Sequence, residues 1–385
     1  MQRIQLLGST GSIGSQAIDI IEEFPEAFAL HAISARHNVK KVLEILSRHD
    51  CEIVVMAGEH QETIESAYPG VTFIALEDEG LKSIVEYAPD AKVLNALVGS
   101  VGLPPTLAAI ERGKDVLLAN KETLVVGGPL IRKALEHSSS TLIPIDSEHA
   151  ALRECLKGSD IDDVEKLVIT ASGGSFRDVD KEKLKDATVE DALKHPNWDM
   201  GAKITVDSAT MMNKVFEIIE AHYLFDMPYE RIEALLHHQS VIHGMVHFKD
   251  GNVLAHVGPS DMRIPILSAM QGDSRKRFPS LFDLAAYGTL SFEPIDKDRY
   301  SLYDLGTAVA RKGGLHVVTM NAANEEAVQL FLNKKISFLD IEALITRALD
   351  HFPNTETFTL DTLLAHEREV RSYIKHEYQK VKTCS

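Results

Sequence analysis

At 385 residues the chain has room for two or three domains, and with 44% hydrophobic and 25% charged residues it has the composition of a globular protein with a sizeable core. Its formal net charge of -17 is the wrong sign for gripping a polyanion, which argues against general nucleic-acid binding but not against a local pocket for one small phosphate. Three widely separated cysteines, Cys51, Cys155 and Cys384, show neither a disulfide framework nor metal-ligand spacing. No signal-like or membrane-spanning apolar run is present, so a cytoplasmic, unprocessed chain with no membrane partner is expected.

In chain order, short aliphatic runs at Arg3–Leu7, Ala29–Ser34, Ile53–Ala57, Val93–Leu97, Val116–Ala119 and Leu142–Ile145 alternate with longer amphipathic segments. That alternation predicts a parallel sheet wrapped by helices over residues 1–147, an α/β domain of Rossmann-like type. From 148 to 293 the texture changes to glycine-punctuated turns, strands at Leu167–Ala171 and Ser240–Phe248, and one long helical stretch after Ser208, which reads as an α+β domain. Residues 294–385 read as a linker and a small helical bundle, with helices at Leu305–Arg311, Val317–Asn333, Leu339–His351 and Leu360–Tyr378.

The first strand runs into Gly8-Ser9-Thr10-Gly11-Ser12-Ile13-Gly14 and then into a helical pattern. Strand, glycine turn and helix start hold a pyrophosphate, because backbone N–H groups and the helix dipole converge where glycine lets the ligand approach. The spacing is GxxGxxG, a relative of the usual dinucleotide fingerprint, and an unliganded turn is the alternative. After the second strand comes Ser34-Ala35-Arg36-His37-Asn38, without the acid that binds an NAD ribose; Arg36 can pair with the 2'-phosphate of NADP or be a solvated surface arginine.

Two acids, Asp146 and Glu148, follow the last strand of this region, where an open α/β sheet binds ligands; helix capping is the alternative. The turn Ser172-Gly173-Gly174 could make an anion nest, and Ser208 stands where a helix is predicted to begin. Asn213, Lys214 and Glu217 share one side of that helix, flanked by Met211, Met212, Val215 and Phe216. Asp146, Glu148 and Glu217 would offer three hard oxygen donors, suited to Mg²⁺ or Mn²⁺ rather than Zn²⁺. His237, His238, His243 and His247 are the competing ligand cluster, and satisfied sheet histidines are the favoured reading.

These motifs closely resemble the 1-deoxy-D-xylulose 5-phosphate reductoisomerase family. The likeness runs through G-S-T-G-S-I-G at Gly8, L-L-A-N-K-E at Leu117, D-S-E-H at Asp146, S-G-G at Ser172, H-P-N-W-D-M-G at His195, V-D-S-A-T-M-M-N-K at Val206, Q-S-V-I-H at Gln239, D-M-R at Asp261 and N-A-A-N-E at Asn321. The resemblance implies NADPH- and divalent-metal-dependent rearrangement and reduction of a phosphorylated ketose to 2-C-methyl-D-erythritol 4-phosphate, in the non-mevalonate route to isoprenoid precursors. It also implies a homodimer.

By the same resemblance, Asp146, Glu148 and Glu217 are metal ligands, with Ser147 near the substrate oxygens. Ser172, Ser208, Asn213 and Lys214 form the phosphate site, and His195, Trp198 and Met200 lie on a lid loop. Gly8, Thr10, Gly11, Ser12, Ile13, Gly14, Arg36, Asn38, Asn120 and Glu122 contact NADPH. Lys121 stands between cofactor and substrate, and Lys121, Lys214 and Glu148 carry the chemistry. Three positions depart from the pattern: Ser175 where Pro is usual, His37 where a basic residue is common, and His238 where Pro often precedes Gln239-Ser240.

A dehydrogenase working through an acyl-enzyme is the first rival. It needs a nucleophilic cysteine at a loop or helix start, whereas Cys155 falls inside a predicted helix. A non-catalytic NADP sensor, the second rival, has no need of three acids and an anion nest.

Overall fold

The computed structural model describes residues 1–77, 79–272, 274–278 and 282–383, and the side chains up to Gln379; Cys384 lies outside this range. Two compact units emerge, Met1–Ala150 with Asp261–Pro279, and Ala151–Ser260 with Ser280–Ser385. The segment Asp261–Pro279, which the expected boundaries leave inside 148–293, thus belongs to the first unit.

The first unit is built on a seven-stranded parallel sheet of β1 (Gln2–Leu7), β2 (Phe28–Ser34), β3 (Ile53–Met56), β4 (Thr72–Ala75), β5 (Lys92–Asn95), β6 (Val116–Leu118) and β7 (Leu142–Pro144), in the order β4-β3-β2-β1-β5-β6-β7. The chain winds outward from β1 to β4, then crosses back to start β5 on the other side of β1. The carboxyl ends of β1 and β5 therefore form the switch point where such sheets bind ligands. Helix α1 (Ser12–Glu23) turns Ala17, Ile18, Ile20 and Ile21 into the core, each worth about 1.5–3 kcal/mol for the larger side chains. Ile266, Leu267 and Met270 of the helix Arg263–Gln271 join the same core. Strand β4 was not anticipated; it is a four-residue edge strand whose side chains are only partly buried, so its apolar signal is weak.

The second unit holds a five-stranded mixed sheet, β11-β10-β8-β9-β12, formed by β8 (Val164–Ala171), β9 (Ile232–Leu236), β10 (Ile242–Phe248), β11 (Val253–Val257) and β12 (Glu293–Pro294). Strand β8 runs parallel to β9 and antiparallel to β10. Four helices close the chain at Ser301–Lys312, Leu315–Leu332, Asp340–His351 and Leu360–Thr383, within about two residues of the predicted bounds except that the first starts earlier, at Ser301, and the last runs on past Tyr378 to Thr383. Edge strand β11 leaves Val253, Leu254 and Val257 exposed at 46%, 48% and 38%. No helix among the described residues is long and apolar enough to cross a membrane.

Candidate active site

In the first unit the glycine loop lies at the β1/β5 switch point. Gly8 has φ +83°, and a Cβ there would stand 2.6 Å from the Ala96 carbonyl oxygen, just beyond β5. A Cβ on Gly14 would stand 2.3 Å from the Gly8 oxygen. The loop is thus folded so tightly on itself that no side chain fits at Gly8 or Gly14. Gly11 occupies the N-cap of α1 and offers no side chain, so the leading N–H groups of the helix are left for an anion, the arrangement a pyrophosphate needs.

Lys41, not singled out in the sequence, reaches back over this loop, donating to the Thr10 carbonyl at 3.3 Å and to Ser15 Oγ at 2.5 Å. It lies in the helix α2 (Val39–Leu46), which Asn38 caps by accepting from the Lys41 N–H at 3.2 Å. Arg36, two residues beyond the end of β2, is exposed. Replacing Arg36 by Ala is expected to weaken NADPH by about 10- to 100-fold, the worth of one or two charge-assisted hydrogen bonds to the 2'-phosphate, and to leave NADH nearly unchanged. Equal losses in a parallel titration of the two cofactors would make Arg36 structural.

Asn120 and Glu122 are buried and bound to one another, Asn120 Nδ2 to Glu122 Oε2 at 2.9 Å; Asn120 also donates to the Leu97 and Gly99 carbonyls at 3.1 and 3.0 Å. Their side chains therefore fix the loop after β5. Lys121 opens helix α3 (Lys121–Leu135) and its ammonium pairs with Asp146. Helix α4 (Ser147–Leu156) takes its first main-chain bond from the Ala150 N–H to the Asp146 carbonyl at 2.8 Å, which puts Asp146 and Glu148 on either side of the helix start. Asp146 is 7% exposed; Ser147 Oγ donates to Glu148 Oε2 at 2.5 Å, and His149 Nδ1 lies 3.5 Å from Asp146 Oδ2.

In the second unit β8 delivers the turn Ser172-Gly173-Gly174. A Cβ on Gly174, at φ +71°, would stand 2.5 Å from the Ser208 carbonyl oxygen, so this turn and the segment carrying Ser208 touch through backbone. Ser208, however, does not begin a helix. It lies in the last turn of α5 (Ala202–Ala209) and donates to the Ile204 carbonyl at 2.9 Å, as serines inside helices do. The β-branched stretch Ile204-Thr205-Val206 obscures this helix in the sequence. The next helix, α6 (Met212–Phe225), starts after Met211 has taken a left-handed conformation at φ 64°, so the helix N-terminus that follows Ser208 is the one at Met212-Asn213.

On α6 the predicted clustering holds: Asn213 Nδ2 donates to Glu217 Oε1 at 2.5 Å, Lys214 pairs with Glu217 Oε2, and Lys214 Nζ also donates to the Thr170 carbonyl at 2.5 Å. Lys214 and Glu217 are 3% and 1% exposed, so they are not a solvated surface pair.

The loop from His195 to Met200 is tied down by side chains. His195 Nε2 meets Ser172 Oγ at 2.9 Å, and its Nδ1 accepts from the Asn197 and Trp198 N–H groups at 3.2 and 3.0 Å. An Nδ1 that accepts twice carries no proton, which leaves the proton on Nε2, facing Ser172. Burial, with the nearby Arg177 charge, pushes His195 down to about 4, so it is neutral near pH 7. Trp198 is half-buried and its Nε1 donates to Ser240 Oγ at 3.2 Å; Met200 is half-buried on the same loop. Arg177, which no motif singles out, donates through one nitrogen to Asn197 Oδ1 and to the Ser172 and His238 carbonyls at 3.1–3.2 Å.

The three departures are locally absorbed. Ser175 Oγ donates to the Ala192 carbonyl at 2.6 Å, His37 Nδ1 lies 3.3 Å from Glu59 Oε1, and His238 offers its carbonyl to Arg177. His237 is a satisfied sheet histidine, bonded to the Ser291 carbonyl at 2.8 Å and to the Val241 and Ile242 N–H groups. Cys155 is buried within α4, and its thiol is pushed up to about 11, unsuited to a nucleophile.

Comparison with known proteins gives one answer along the whole chain. Residues 4–128 match the profile of 1-deoxy-D-xylulose 5-phosphate reductoisomerase, and 142–225 and 257–373 match profiles of the C-terminal domains of the same enzyme. The 1-deoxy-D-xylulose 5-phosphate reductoisomerase of Geobacillus sp. (strain WCH70) is 45% identical over 378 residues, 97% of this chain and 99% of its own. That of Exiguobacterium sp. (strain ATCC BAA-1283 / AT1b) is 46% identical over 380 residues, 97% and 98% of the two chains. Among solved structures, DOX-P reductoisomerase in complex with NADPH, fosmidomycin and magnesium matches with a TM-score of 0.94 and 34% identity over 99% of both chains. The Zymomonas mobilis enzyme in complex with NADPH matches at 0.90 and 37%, over 98% of this chain and 99% of the other.

Proposed function

The chain belongs to the 1-deoxy-D-xylulose 5-phosphate reductoisomerase family, and from that premise we propose which of its residues carry the reaction. The enzyme converts 1-deoxy-D-xylulose 5-phosphate to 2-C-methyl-D-erythritol 4-phosphate, using NADPH and a divalent metal. Skeletal rearrangement of the ketose gives a branched aldehyde, which is then reduced. NADPH supplies the hydride, and Mg²⁺ or Mn²⁺ supplies Lewis-acid stabilisation of negative charge on the substrate oxygens.

NADPH is held by the Gly8–Gly14 loop through backbone N–H groups, with Arg36 on the 2'-phosphate and Asn38, Asn120 and Glu122 shaping the rest of the cleft. Asp146, Glu148 and Glu217 would hold the metal. The donor chemistry fits: all three are carboxylates, and the buried Asp146 and Glu217 are each already balanced by an ammonium, from Lys121 and Lys214, as buried acids require. Those paired buried carboxylates are the observation that carries the metal part of this reading. With the carboxylates holding the ion, Lys121 and Lys214 would be cations for substrate oxygens, and Ser147 would be a hydroxyl donor to them.

Ser172, Ser208, Asn213 and Lys214 hold the substrate phosphate, whose binding energy orients the reacting carbons. His195, Trp198 and Met200 form a loop that closes over the ligand and excludes water from the aldehyde. We propose a division of labour in which residues 1–147 bind the cofactor, 148–293 carry catalysis apart from Asp261–Pro279, which packs with the first unit, and 294–385 form the helical scaffold, in a cytoplasmic protein. NADPH deuterated on the transferring face of nicotinamide C4 tests the reduction. One deuterium is expected on the carbon that was the aldehyde, and product without label would refute it.

Trp198 is the chain's single tryptophan, so its emission reports the loop alone. Binding of substrate or a phosphonate analogue is expected to blue-shift that emission as the half-buried indole loses water. Emission unchanged at saturating ligand would remove the lid role.

The homodimer is proposed to form through edge strand β11, whose exposed valines and leucine lie beside backbone groups open to pairing with a second copy. Leu254→Asp is expected to yield monomers in sedimentation, and an unchanged dimer would move the interface elsewhere.

A further inference from the structure

A group of donors on the first unit takes no part in the chemistry above. Strands β2 and β3 pair in parallel, with Ser34 opposite Val55, so the loops leaving their carboxyl ends are neighbours. One loop carries His37; the other is the turn Gly58–His60, which carries Glu59 and His60. Their backbones are pinned together by the Ala35 N–H to the Val55 carbonyl at 3.0 Å and the Ala57 N–H to the Arg36 carbonyl at 3.4 Å. Glu77 Oε2 further holds the turn by accepting from the Gly58 N–H at 3.1 Å.

On this frame His37 Nδ1 and His60 Nε2 each lie 3.3 Å from Glu59 Oε1, and the three donor atoms fall within 4.8 Å of one another. An N–H···O hydrogen bond would be about 2.7–3.2 Å. In a tetrahedron with Zn–N and Zn–O bonds of about 2.0–2.2 Å, by contrast, donors are separated by about 3.3–3.5 Å. His60 Nε2 is shielded from solvent yet makes no hydrogen bond, an arrangement that costs free energy unless something occupies its lone pair. His37 and Glu59 are open to solvent, which leaves a fourth position for water.

We propose that His37, Glu59 and His60 form a second metal site, selective for Zn²⁺-class ions, that clips the loop after β2 to the turn after β3. Two imidazoles and one carboxylate suit a borderline ion, whereas Mg²⁺ takes oxygen ligands and waters. The site is separate from the carboxylate set assigned to catalysis, and its test uses neither NADPH nor substrate.

Untagged protein is freed of metals, saturated with Mg²⁺ to fill hard-oxygen sites, and titrated with Co²⁺ as a spectroscopic stand-in for Zn²⁺. One Co²⁺ per chain with the strong visible absorption of a four-coordinate ion is expected, and Zn²⁺ should displace it stoichiometrically. His37→Gln/His60→Gln should lose that band, with an unfolding temperature in chelator matching the unaltered protein because both side chains lie at the surface or edge of the loops. In the unaltered protein Zn²⁺ should raise the unfolding temperature, and in the variant it should not. Absence of the four-coordinate band in the unaltered protein, or its persistence in the variant, would overturn the proposal.

Discussion

Replacing Glu217 by Gln is expected to lower metal affinity and turnover together, with kcat/KM falling by about 100-fold or more. The change keeps the shape of the side chain but takes a negative charge from a set of hard oxygen donors, and changes merely beside such ligands already cost about 10- to 100-fold. A purely structural role makes a different prediction. Glu217 is 1% exposed against Lys214 at 3%, so Gln would leave a buried ammonium without its counter-charge and cost about 3–5 kcal/mol of stability. Titrating Mg²⁺ against activity and measuring unfolding on the same variant separates the two. Lowered stability with an unchanged metal midpoint would leave Glu217 as the partner of Lys214 and nothing more.

Gly14→Ala should be as damaging to cofactor binding. The added Cβ would meet the Gly8 oxygen at 2.3 Å and the Ser9 Cα at 2.8 Å, both backbone, so the turn has to open. Each backbone N–H pulled away from the pyrophosphate forfeits a charge-assisted bond of about 1.5–3 kcal/mol, and loss of two weakens NADPH by about 100-fold or more. Fluorescence titration of NADPH into the folded variant reads this directly. Affinity within a factor of two of the unaltered protein would show that the loop is not what holds the pyrophosphate.

The sequence carries the local parts of this site well, because they depend on neighbours along the chain. Gly8, Gly11 and Gly14 are legible because a strand ends before them and a helix starts among them. Asn213, Lys214 and Glu217 are legible because three- and four-residue spacing puts them on one face of a helix. What it hides is set by tertiary contact. The Lys121 pairing with Asp146 joins two strand ends 25 residues apart along the chain, and Arg177 gathers the turn at Ser172, the loop at Asn197 and the carbonyl of His238. Neither follows from a motif.

Ser208 shows a local reading overruled by packing. Ile204, Thr205 and Val206 favour a strand by propensity, yet they form a helix whose Thr205 and Val206 are buried. Strand β9 shows the reverse, since Glu233-Ala234-Leu235-Leu236 has helix-forming residues but pairs with β8 in the sheet.

The central claim, a metal-dependent reduction that follows rearrangement of a phosphorylated ketose, is tested most directly by NADPH absorbance in four mixtures: with and without 1-deoxy-D-xylulose 5-phosphate, and with and without Mg²⁺ after exhaustive chelation. NADPH is predicted to be consumed only where ketose phosphate and Mg²⁺ are both present, one equivalent for each equivalent of 2-C-methyl-D-erythritol 4-phosphate formed. Consumption that continues undiminished in the chelated mixture, or without the ketose phosphate, would contradict it.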